Sequence, residues 1–549
     1  MSDTSQNAPL VAYHQRTKHR FEAYAEGPGQ LDWDAQPAPF RHFAGAETLT
    51  LPLAADTFER PFAALGEAPA VPVAPTLDSL GVLLELGLGI SAWKSWGPSR
   101  WALRCNPSSG NLHPVEGYVL SGNLPGVPDG LHHYDPQAHQ LETRAALPGE
   151  GGAPWLVLGL SSVMWREAWK YGERAFRYCQ LDVGHAVAAL GYAAALLGWT
   201  VEPLAAPSAT VARCLGLDRG EDFVGGRLGF TEAEEPEILL ALCGPAWSTP
   251  PALETLATRL AGAHWQGMAS RIDPSPGYRW PLIDQAAAAS RLSRSTPKNG
   301  PISVAFPDYP PRLPQPSGSG AAQLIRQRRS GQRFDPKCTL DKAAFYRILD
   351  ATLPRQRAPF GGQEAPPGIH LLLFVLRVDG LPSGLYLLPR TPLAAPQLRA
   401  ALGAVDGRFA DACAVSAVDP GCPEHLGLTL LAALGLQEMQ RLARALSCHQ
   451  DIAATSAFSL GMLADFSQLA DGYAYRACLR EAGLVGQALY LEAEAAGVRG
   501  TGIGCFFDDP VHQAFGLDDA RWQSVYHFTV GTPILDTRIE TSPPYPQRK

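Results

Sequence analysis

Residues 107–111, the first of four segments able to do chemistry, combine two hydroxyls with an amide and a glycine: Ser108, Ser109, Gly110 and Asn111. The small residues let a flat ligand approach the backbone, and the hydroxyl and amide groups offer donors and acceptors to a polar ring edge. An ordinary turn capped by an asparagine side chain has the same composition. This segment, which we call the serine turn, therefore predicts either a binding loop or a structural turn.

The second segment, residues 326–333, concentrates positive charge. Four arginines lie within its eight residues, with a hydroxyl among them. Guanidinium groups suit a phosphate because their planar forks donate hydrogen bonds in pairs to its oxygens. A solvated basic end of a helix has the same composition and is the alternative. We call this stretch the arginine segment, and its candidate binding residues are Arg328, Arg329 and Ser330.

The third segment, residues 500–504, is rich in glycine and includes Gly502, Ile503 and Gly504. Alternating glycines can turn successive N–H groups toward one anion or carbonyl, which predicts a small nest. The segment is not a dinucleotide fingerprint, because GxGxxG opens a helix after a strand whereas this stretch leaves a predicted helix. We call it the glycine loop, and an ordinary helix-to-strand connection is the alternative.

The fourth segment places a potential base beside a phenol, at Lys170 and Tyr171. An amine can accept a proton when burial or neighbouring cations lower its pKa, and a phenol can orient the same substrate. A lysine and a tyrosine side by side on a solvated helix are also commonplace. The pair, which we call the dyad, is therefore a candidate for proton transfer rather than proof of it.

The chain repeats itself around a predicted helix in each half. Small residues at three-to-four spacing give this helix a face that allows close packing. At the displacement of 299 residues that aligns the repeats, Lys170 and Tyr171 correspond to Leu469 and Ala470, so only the first half carries the dyad. The repeat predicts two like domains packed as a pseudo-dimer. The matched pairs are Arg177/Arg476, Cys179/Cys478, Gly184/Gly483, Leu190/Leu489, Ala194/Ala493 and Gly198/Gly497.

Each half mixes apolar extended runs, at 155–160 and 369–378, with helical stretches. This mixture predicts an α+β fold with two like domains, each a central mixed sheet flanked by helices. Stretches rich in Gly and Pro separate the domains. The predicted boundaries give an N-terminal arm at 1–75, a first domain at 76–245, a connection at 246–320 and a second domain with a C-terminal tail at 321–549.

Composition excludes several classes of function. The 549 residues carry a net charge of −8 without a basic run, so nucleic-acid binding has no electrostatic support. The ten cysteines form no CxxC pair, which argues against a zinc ribbon and for a reducing compartment. The N-terminus lacks an apolar signal core, and the most apolar run is too short to span a bilayer. We expect a soluble cytoplasmic protein, no membrane association and no metal site, because no His or Cys spacing matches a metal motif.

Taken in order, the motifs resemble the nitroreductase-like superfamily of flavoproteins, and within it the azoline dehydrogenases of the SagB/ThcOx type. In the first half the resemblance rests on PSSGNLHPVE, WKYGERAFRY and LDVGHAVAALGYAAALLGW. In the second half it rests on RQRRSGQRF, GTGIGCFFDDP and FTVGTPILDTR. The resemblance covers most of both repeats.

This resemblance implies an FMN cofactor held between two α+β domains, with its phosphate on Arg328, Ser330 and Arg538. The family usually has Arg or Lys two residues after the serine, but this position is Gln332 here and Arg333 follows, so which of them meets the ring stays open. The implied cofactor-binding residues are Ser108, Ser109, Gly110, Asn111, Arg328, Arg329, Ser330, Gln332, Gly502, Ile503, Gly504 and Arg538.

The two halves complement each other in these motifs. The first half has the serine turn but lacks an arginine–serine motif between Leu51 and Gly87. The second half has the arginine segment and the glycine loop, but residues 354–368 lack a Pro-Ser-Ser element. We expect one composite FMN site per chain, a degenerate second site at the pseudo-symmetric position, and a monomer, because the repeat already supplies an internal dimer.

The resemblance also implies catalytic roles for Lys170 as base and Tyr171 as its orienter, since this dyad separates azoline dehydrogenases from ordinary nitroreductases. The expected reaction converts a thiazoline or oxazoline to a thiazole or oxazole in a modified peptide or related natural product. Other biosynthetic enzymes are then possible partners. Two alternatives stay open: an NAD(P)H-dependent reductase of nitro or quinone compounds, and a non-catalytic, flavin-binding scaffold subunit.

Overall fold

The computed structural model describes residues 8–67, 71–223, 229–293, 301–316, 318–403, 409–517 and 520–546. Parts of the predicted arm, at 1–7 and 68–70, and of the predicted connection, at 294–300 and 317, lie outside the described residues. Two large sheets flanked by helices form the core, which agrees with the mixed helix-and-strand fold expected from the sequence.

The helices of the first half and of the connection are α1 (Ala8–Arg16), α2 (Leu77–Gly87), α3 (Met164–Tyr171), α4 (Ala175–Leu197), α5 (Ser208–Leu215), α6 (Gly229–Glu232), α7 (Leu253–Ala261) and α8 (Pro281–Ala289). Those of the second half are α9 (Ala321–Gln327), α10 (Lys342–Ala351), α11 (Ala394–Gly403), α12 (Val415–Val418), α13 (Leu436–Leu446), α14 (Asp451–Thr455), α15 (Gly472–Ala495) and α16 (Asp508–Ala514). Short 3-10 turns, including Ser109–Asn111 in the serine turn, lie between them.

The strands up to the end of the connection are β1 (Phe43–Ala44), β2 (Thr48–Thr50), β3 (Ile90–Trp96), β4 (Ser99–Arg104), β5 (Val115–Gly122), β6 (Gly130–Asp135), β7 (Gln140–Ala146), β8 (Trp155–Ser162), β9 (Thr200–Pro203), β10 (Glu235–Cys243), β11 (His264–Trp265) and β12 (Met268–Ala269). The later strands are β13 (Ile369–Val375), β14 (Gly384–Leu388), β15 (Cys413–Ala414), β16 (Thr429–Ala433), β17 (Phe458–Asp465), β18 (Arg499–Ile503), β19 (Trp522–Gly531) and β20 (Glu540–Ser542). The extended runs predicted at 155–160 and 369–378 are β8 and β13.

The two large sheets share one strand order. The first runs β11-β7-β6-β5-β8-β10-β9, with β2 against β7, and the second runs β15-β16-β14-β13-β17-β19-β18. Five strands correspond between the sheets, in the orders β6-β5-β8-β10-β9 and β14-β13-β17-β19-β18. In each sheet a long helix, α4 or α15, connects the middle strand of the five, β8 or β17, to the edge strand, β9 or β18. The paired strands named here are antiparallel, so the prediction of mixed sheets is wrong in this respect. Hairpin connections make β5 antiparallel to β6 and β13 antiparallel to β14. After β8 and β17 the chain crosses a helix to the far edge of the sheet, and the strand that then fills the gap, β10 or β19, runs antiparallel to both of its neighbours.

The long helices α4 and α15 cross at the glycines that the repeat matched. A Cβ on Gly184 would overlap the carbonyl oxygen of Arg480, and a Cβ on Gly483 would overlap that of Leu181. Only glycine lets the two backbones approach so closely. The predicted helix and its small-residue face are confirmed, and the crossing joins the two halves.

Buried ion pairs also join the halves, in a reciprocal way. Arg177 on α4 donates to Asp508 of the second half at 2.9 Å, with both side chains buried. Its repeat partner Arg476 on α15 reaches back to Glu235 at 2.9 Å and to Glu237 at 3.1 Å. Because removing one member would leave an unpaired buried charge, these pairs tie each half to the other.

The predicted arm and connection contain regular elements that complete the first half. The arm holds α1, β1 and β2, and the connection holds α7, α8, β11 and β12. The C-terminal tail also packs against the first half, since β20 pairs with β3 and Tyr545 is buried. One helical stretch, Met164–Leu197, is long and apolar enough to cross a membrane, but its apolar window is fully buried, as in the central helix of a soluble fold.

Candidate functional site

The serine turn connects β4 to β5 and is held on α4 by one carboxylate. Asp182 accepts hydrogen bonds from the backbone N–H of Ser109, at 3.0 Å to each oxygen, and from the Ser109 hydroxyl at 2.9 Å. The Ser108 hydroxyl accepts from the N–H of His113 at 2.8 Å, and the Asn111 amide donates to a β4 carbonyl at 2.9 Å. These contacts give the turn one conformation, and Asp182 is a functional candidate that the sequence reasoning missed.

Gly110 brings the serine turn into contact with the dyad. Its φ of 58° lies in the left-handed region that favours glycine. A Cβ at this position would lie 2.5 Å from the Tyr171 hydroxyl and 3.1 Å from Lys170 Nζ. The fold therefore places two of the four sequence segments side by side, at the C-terminal end of α3.

The environment of the dyad changes its proton affinity. Burial lowers the pKa of Lys170, whereas the charge of Glu167, one turn earlier on α3, opposes this change. Burial and the charge of Glu167 raise the pKa of the Tyr171 phenol. The Lys170 ammonium position lies 5.1 Å from the ring of Trp33 and 5.3 Å from that of Tyr171. Lys170 thus loses its proton more readily than an exposed lysine, and Tyr171 remains a hydrogen-bond donor.

Two buried carboxyl groups lie behind the dyad and were not expected from the sequence. Burial raises the pKa of Asp182 and that of Glu167, and the two groups affect each other. Two like charges in a dry site cannot both form at neutral pH, so the pair holds at least one proton. This proton lies between the serine turn and the dyad.

The glycine loop faces the same region from the second half. Gly504 accepts a hydrogen bond from the Tyr178 hydroxyl at 3.1 Å, and the rings of Tyr178 and Tyr171 lie 4.6 Å apart. The loop is mostly strand β18, paired with β19, so its N–H groups alternate in direction and do not form the predicted nest. The N–H of Gly502 donates to the Tyr490 hydroxyl at 3.0 Å. The glycine loop therefore lies next to the dyad. Ile503, the last residue of β18, is buried in the hydrophobic core of the second half.

The arginine segment completes the candidate site from the other side. Ser330 shares a 3.0 Å hydrogen bond with the Tyr490 hydroxyl, which links the segment to the glycine loop. Arg328 is buried, donates to the carbonyl of Arg104 at 3.0 Å, and lies 4.9 Å from the Tyr490 ring. Arg104 lies three residues before the serine turn. The arginine segment and the serine turn thus line one region, although they come from different halves.

Arg328 belongs to a cluster of four cations: Arg329 and Arg499 interact with it, and Lys94 interacts with those two. Burial and the charge of Arg328 lower the pKa of Arg329 to about 10. Burial lowers the pKa of Lys94, and so do the charges of Arg329 and Arg499. Glu494 is an acidic group that acts on Arg329 in the opposite direction. The sequence reasoning missed Lys94, which has no motif around it, and Arg499, which directly precedes the glycine loop. Like charges raise one another's energy, so this cluster favours binding of an anion.

Two predicted binding residues lie outside this arrangement. Arg538 is exposed, and its guanidinium pairs with Asp536 at 2.7 Å. Among the described residues, its hydrogen bonds and ion pairs do not reach the serine turn, the glycine loop or the arginine segment. Gln332 is also exposed. The structure therefore brings together the four segments but leaves these two side chains at the surface.

Comparison with known proteins identifies the fold. The family profile described as "Nitroreductase family" matches residues 425–532. A crystal structure of a "putative nitroreductase" from Anabaena variabilis aligns with a TM-score of 0.65 and 19% identity, over 96% of this chain and 99% of that chain. The chain has the nitroreductase fold. Because that neighbour is matched over nearly its whole length, both sheets have counterparts in it.

Two further alignments are weaker and carry no argument about this chain. The Escherichia coli microcin synthetase McbBCD complex aligns with a TM-score of 0.28 and 17% identity, over 38% of this chain and 70% of that chain. A second "putative nitroreductase", from Exiguobacterium sibiricum and in complex with FMN, aligns with a TM-score of 0.25 and 14% identity, over 40% and 91%. The comparison with curated proteins gives no match.

Proposed function

We propose that this chain is an FMN-dependent oxidoreductase that converts azoline heterocycles to azoles in a modified peptide or a related natural product. The supporting observation is the contact of Gly110 with both Lys170 and Tyr171, which combines a binding turn with a proton-transfer dyad. The nitroreductase fold supports a flavin oxidoreductase, and the dyad supports the azoline reaction. We propose further that the two halves arose by tandem duplication and that the chain is a cytoplasmic monomer.

The described residues fit FMN by the chemistry of their donors. Arg328, Arg329 and Ser330 would hold the phosphate, because the buried guanidinium of Arg328 and the half-buried one of Arg329 form no ion pair within the described ranges and so favour an anion. The Nε atom of Arg328 is buried without a hydrogen-bond partner among the described residues, as expected for a donor whose acceptor is a bound ligand. The serine turn and the glycine loop would contact the ring from the two halves. When bound, FMN supplies the hydride acceptor.

The chain's own residues supply the proton chemistry. Aromatisation of an azoline ring requires a carbon to lose a proton, and Lys170 in its neutral form can accept that proton at Nζ. Tyr171 remains protonated and can donate a hydrogen bond that orients the substrate. The Trp33 ring of the arm lies 5.1 Å from Lys170 Nζ, and burial keeps the amine pKa below its ordinary value. The rate should therefore rise with pH as Lys170 loses its proton below its ordinary pKa.

Only one FMN site per chain is proposed. The position related by the repeat lies between Gly198, Trp199, Arg357 and Gly361, where the cavity measures about 20 Å³. Small-molecule sites usually measure ~300–1,000 Å³, so this space cannot hold a flavin. The second half also has the sequence RQRAP in place of a serine turn.

The substitution Lys170→Ala tests the proposed reaction. We expect it to abolish dehydrogenation of a thiazoline peptide, because the base is lost, while the flavin remains bound. Turnover is measured by mass spectrometry as the loss of two hydrogens from the peptide, and flavin by its visible spectrum. The matched control is Lys342→Ala, whose lysine lies on α10 and pairs with Asp419 at 3.0 Å. Retained turnover in Lys170→Ala would contradict the proposal.

Two alternatives give different outcomes with the same purified protein. The nitroreductase fold is compatible with an NAD(P)H-dependent reductase of nitro or quinone compounds, which would bleach its flavin rapidly when mixed with NADPH without oxygen. A scaffold subunit would remain colourless and could not be reconstituted with FMN. We expect neither result, and we expect other biosynthetic enzymes that install the azoline to act before this chain.

A further inference from the structure

Two cysteines form a thiol pair beside the glycine loop. Cys505 directly follows Gly504, and Cys448 lies in the turn between α13 and α14. The two half-buried thiols are close enough that each shifts the pKa of the other. The backbone segments are tied together as well, since Gln450 donates to the Cys505 carbonyl at 3.0 Å. The contact therefore joins residues that are distant in sequence but fixed by the fold.

The turn that carries Cys448 has an unusual backbone. Cys448 and His449 have φ angles of 51° and 59°, in the left-handed region. Residues with a Cβ rarely adopt this region, because the Cβ comes too close to the following carbonyl oxygen. Such conformations persist only where surrounding contacts hold them, and here they bring Cys448 to Cys505.

Polar neighbours stabilise Cys505 as a thiolate. His19 Nδ1 accepts a hydrogen bond from the N–H of Ala25 at 2.9 Å, and the His19 ring favours the charged form of the nearby Cys505 thiol. The Cys448 thiol, His19 and Arg174 together lower the pKa of Cys505 to about 5. The other titratable groups that interact with the two thiols are Tyr24, Tyr171, Tyr178 and Asp508. A half-exposed thiolate with a second thiol in contact is the arrangement found in redox-active cysteine pairs.

We propose that Cys505 and Cys448 are a peroxide-reactive thiol pair that forms a reversible disulfide. The Cys505 thiolate attacks a peroxide oxygen, so an S–O bond forms, the O–O bond breaks, and hydroxide leaves and takes a proton from Cys448. The Cys448 thiolate then attacks the Cys505 sulfenic acid, so the S–S bond forms, the S–O bond breaks, and the second hydroxide takes a proton from solvent. Two thiols lose two electrons and two protons, and hydrogen peroxide becomes two waters.

This activity goes beyond the proposed function and does not depend on the flavin substrate. Hydrogen peroxide forms whenever oxygen takes two electrons, as it does when it reoxidises a flavin. Cys505 directly follows Gly504, so peroxide released at the proposed flavin site would form close to this thiol. A disulfide would also bind the end of the glycine loop covalently to the 447–450 turn.

The test uses the intact reduced chain and hydrogen peroxide as the only oxidant. After a brief exposure, free thiols are alkylated and peptides are mapped by mass spectrometry. We expect a peptide pair linked by Cys448 and Cys505, formed at least about tenfold faster than any oxidation of the half-buried Cys338. Equal alkylation of Cys448, Cys505 and Cys338 would overturn the proposal.

Two variants separate the roles of the cysteines. In Cys448→Ser we expect a sulfenic acid at Cys505 that dimedone traps, because the second thiol is gone. In Cys505→Ser we expect Cys448 to stay reduced, and Cys338→Ser should leave the reaction unchanged. If either serine variant does not fold, the pH dependence of iodoacetamide labelling in the wild type decides. Cys505 should label at a pH well below that required by Cys338, and equal profiles would overturn the proposal.

Discussion

At the scale of single residues, the candidate site depends on small side chains that let larger ones meet. Gly110 is an exposed residue of a surface turn, yet it lies against both members of the dyad. Asp182 holds the turn through hydrogen bonds from the N–H and the hydroxyl of Ser109. The site therefore owes its geometry as much to these two positions as to Lys170 and Tyr171.

Gly110→Ala tests this dependence. We expect a loss of about 1 kcal/mol in the free energy of unfolding from the left-handed backbone, and a fall in turnover because the new methyl displaces the Tyr171 hydroxyl. Gly97→Ala is the matched control, since Gly97 has a φ of 56° and an added Cβ there would meet no atom within 4 Å among the described residues. Denaturant unfolding and steady-state kinetics measure the two effects. Equal turnover in both variants would show that Gly110 does not position the dyad.

At the scale of elements, the crossing of α4 and α15 sets the distance between the halves. The helices carry Asp182 and Tyr178 from one side and Tyr490 from the other, so all three side chains depend on the crossing. A change at the crossing should therefore alter both stability and the site.

Gly184→Ala should destabilise the protein by about 1–3 kcal/mol, because its Cβ would overlap a backbone oxygen that cannot move alone. Gly191→Ala on the same helix is the control: its nearest atoms are 3.6 Å and 3.7 Å from the added Cβ. There we expect a gain of about 0.5–1 kcal/mol from helix propensity. Thermal and denaturant unfolding give both values, and a destabilised Gly191→Ala with a neutral Gly184→Ala would contradict this account of the crossing.

At the scale of the whole molecule, two halves with the same strand order pack against each other within one chain. Arg177 and Arg476 reach across it reciprocally. The two sides nevertheless differ, since one position has the cation cluster and the position related to it by the repeat has a cavity of about 20 Å³. This asymmetry is the basis for proposing one ligand per chain.

Flavin stoichiometry tests the asymmetry directly. We expect close to one FMN per chain, and Arg328→Met should weaken binding at least about tenfold, because a buried charge-assisted hydrogen bond is worth ~1.5–3 kcal/mol. Arg326→Met is the control in the same segment, since Arg326 pairs with Asp56 and with Glu85 at 3.7 Å instead. Fluorescence titration with FMN measures the affinities. Two FMN molecules per chain, or equal effects of the two variants, would contradict the composite site.

The amino-acid sequence alone determined the features that local pattern encodes. Hydrophobic and small-residue periodicity predicted α4 and α15 and their close face, and the repeat predicted two like halves. Motif spacing selected the serine turn, the dyad, the arginine segment and the glycine loop as candidates, although their roles at the site stay predictions. These features depend on neighbours along the chain, which a sequence displays directly.

Only the tertiary structure decided which distant residues meet. The contact of Asp182 with Ser109, the proximity of Arg499 to both Arg328 and Lys94, and the thiol pair of Cys448 with Cys505 each join separate elements. No local pattern marks these residues, because their partners are set by how two sheets pack around a helix crossing. The same packing leaves Arg538 at the surface beside Asp536. Contacts of this kind depend on three-dimensional distance, which is why they had to be read from the fold.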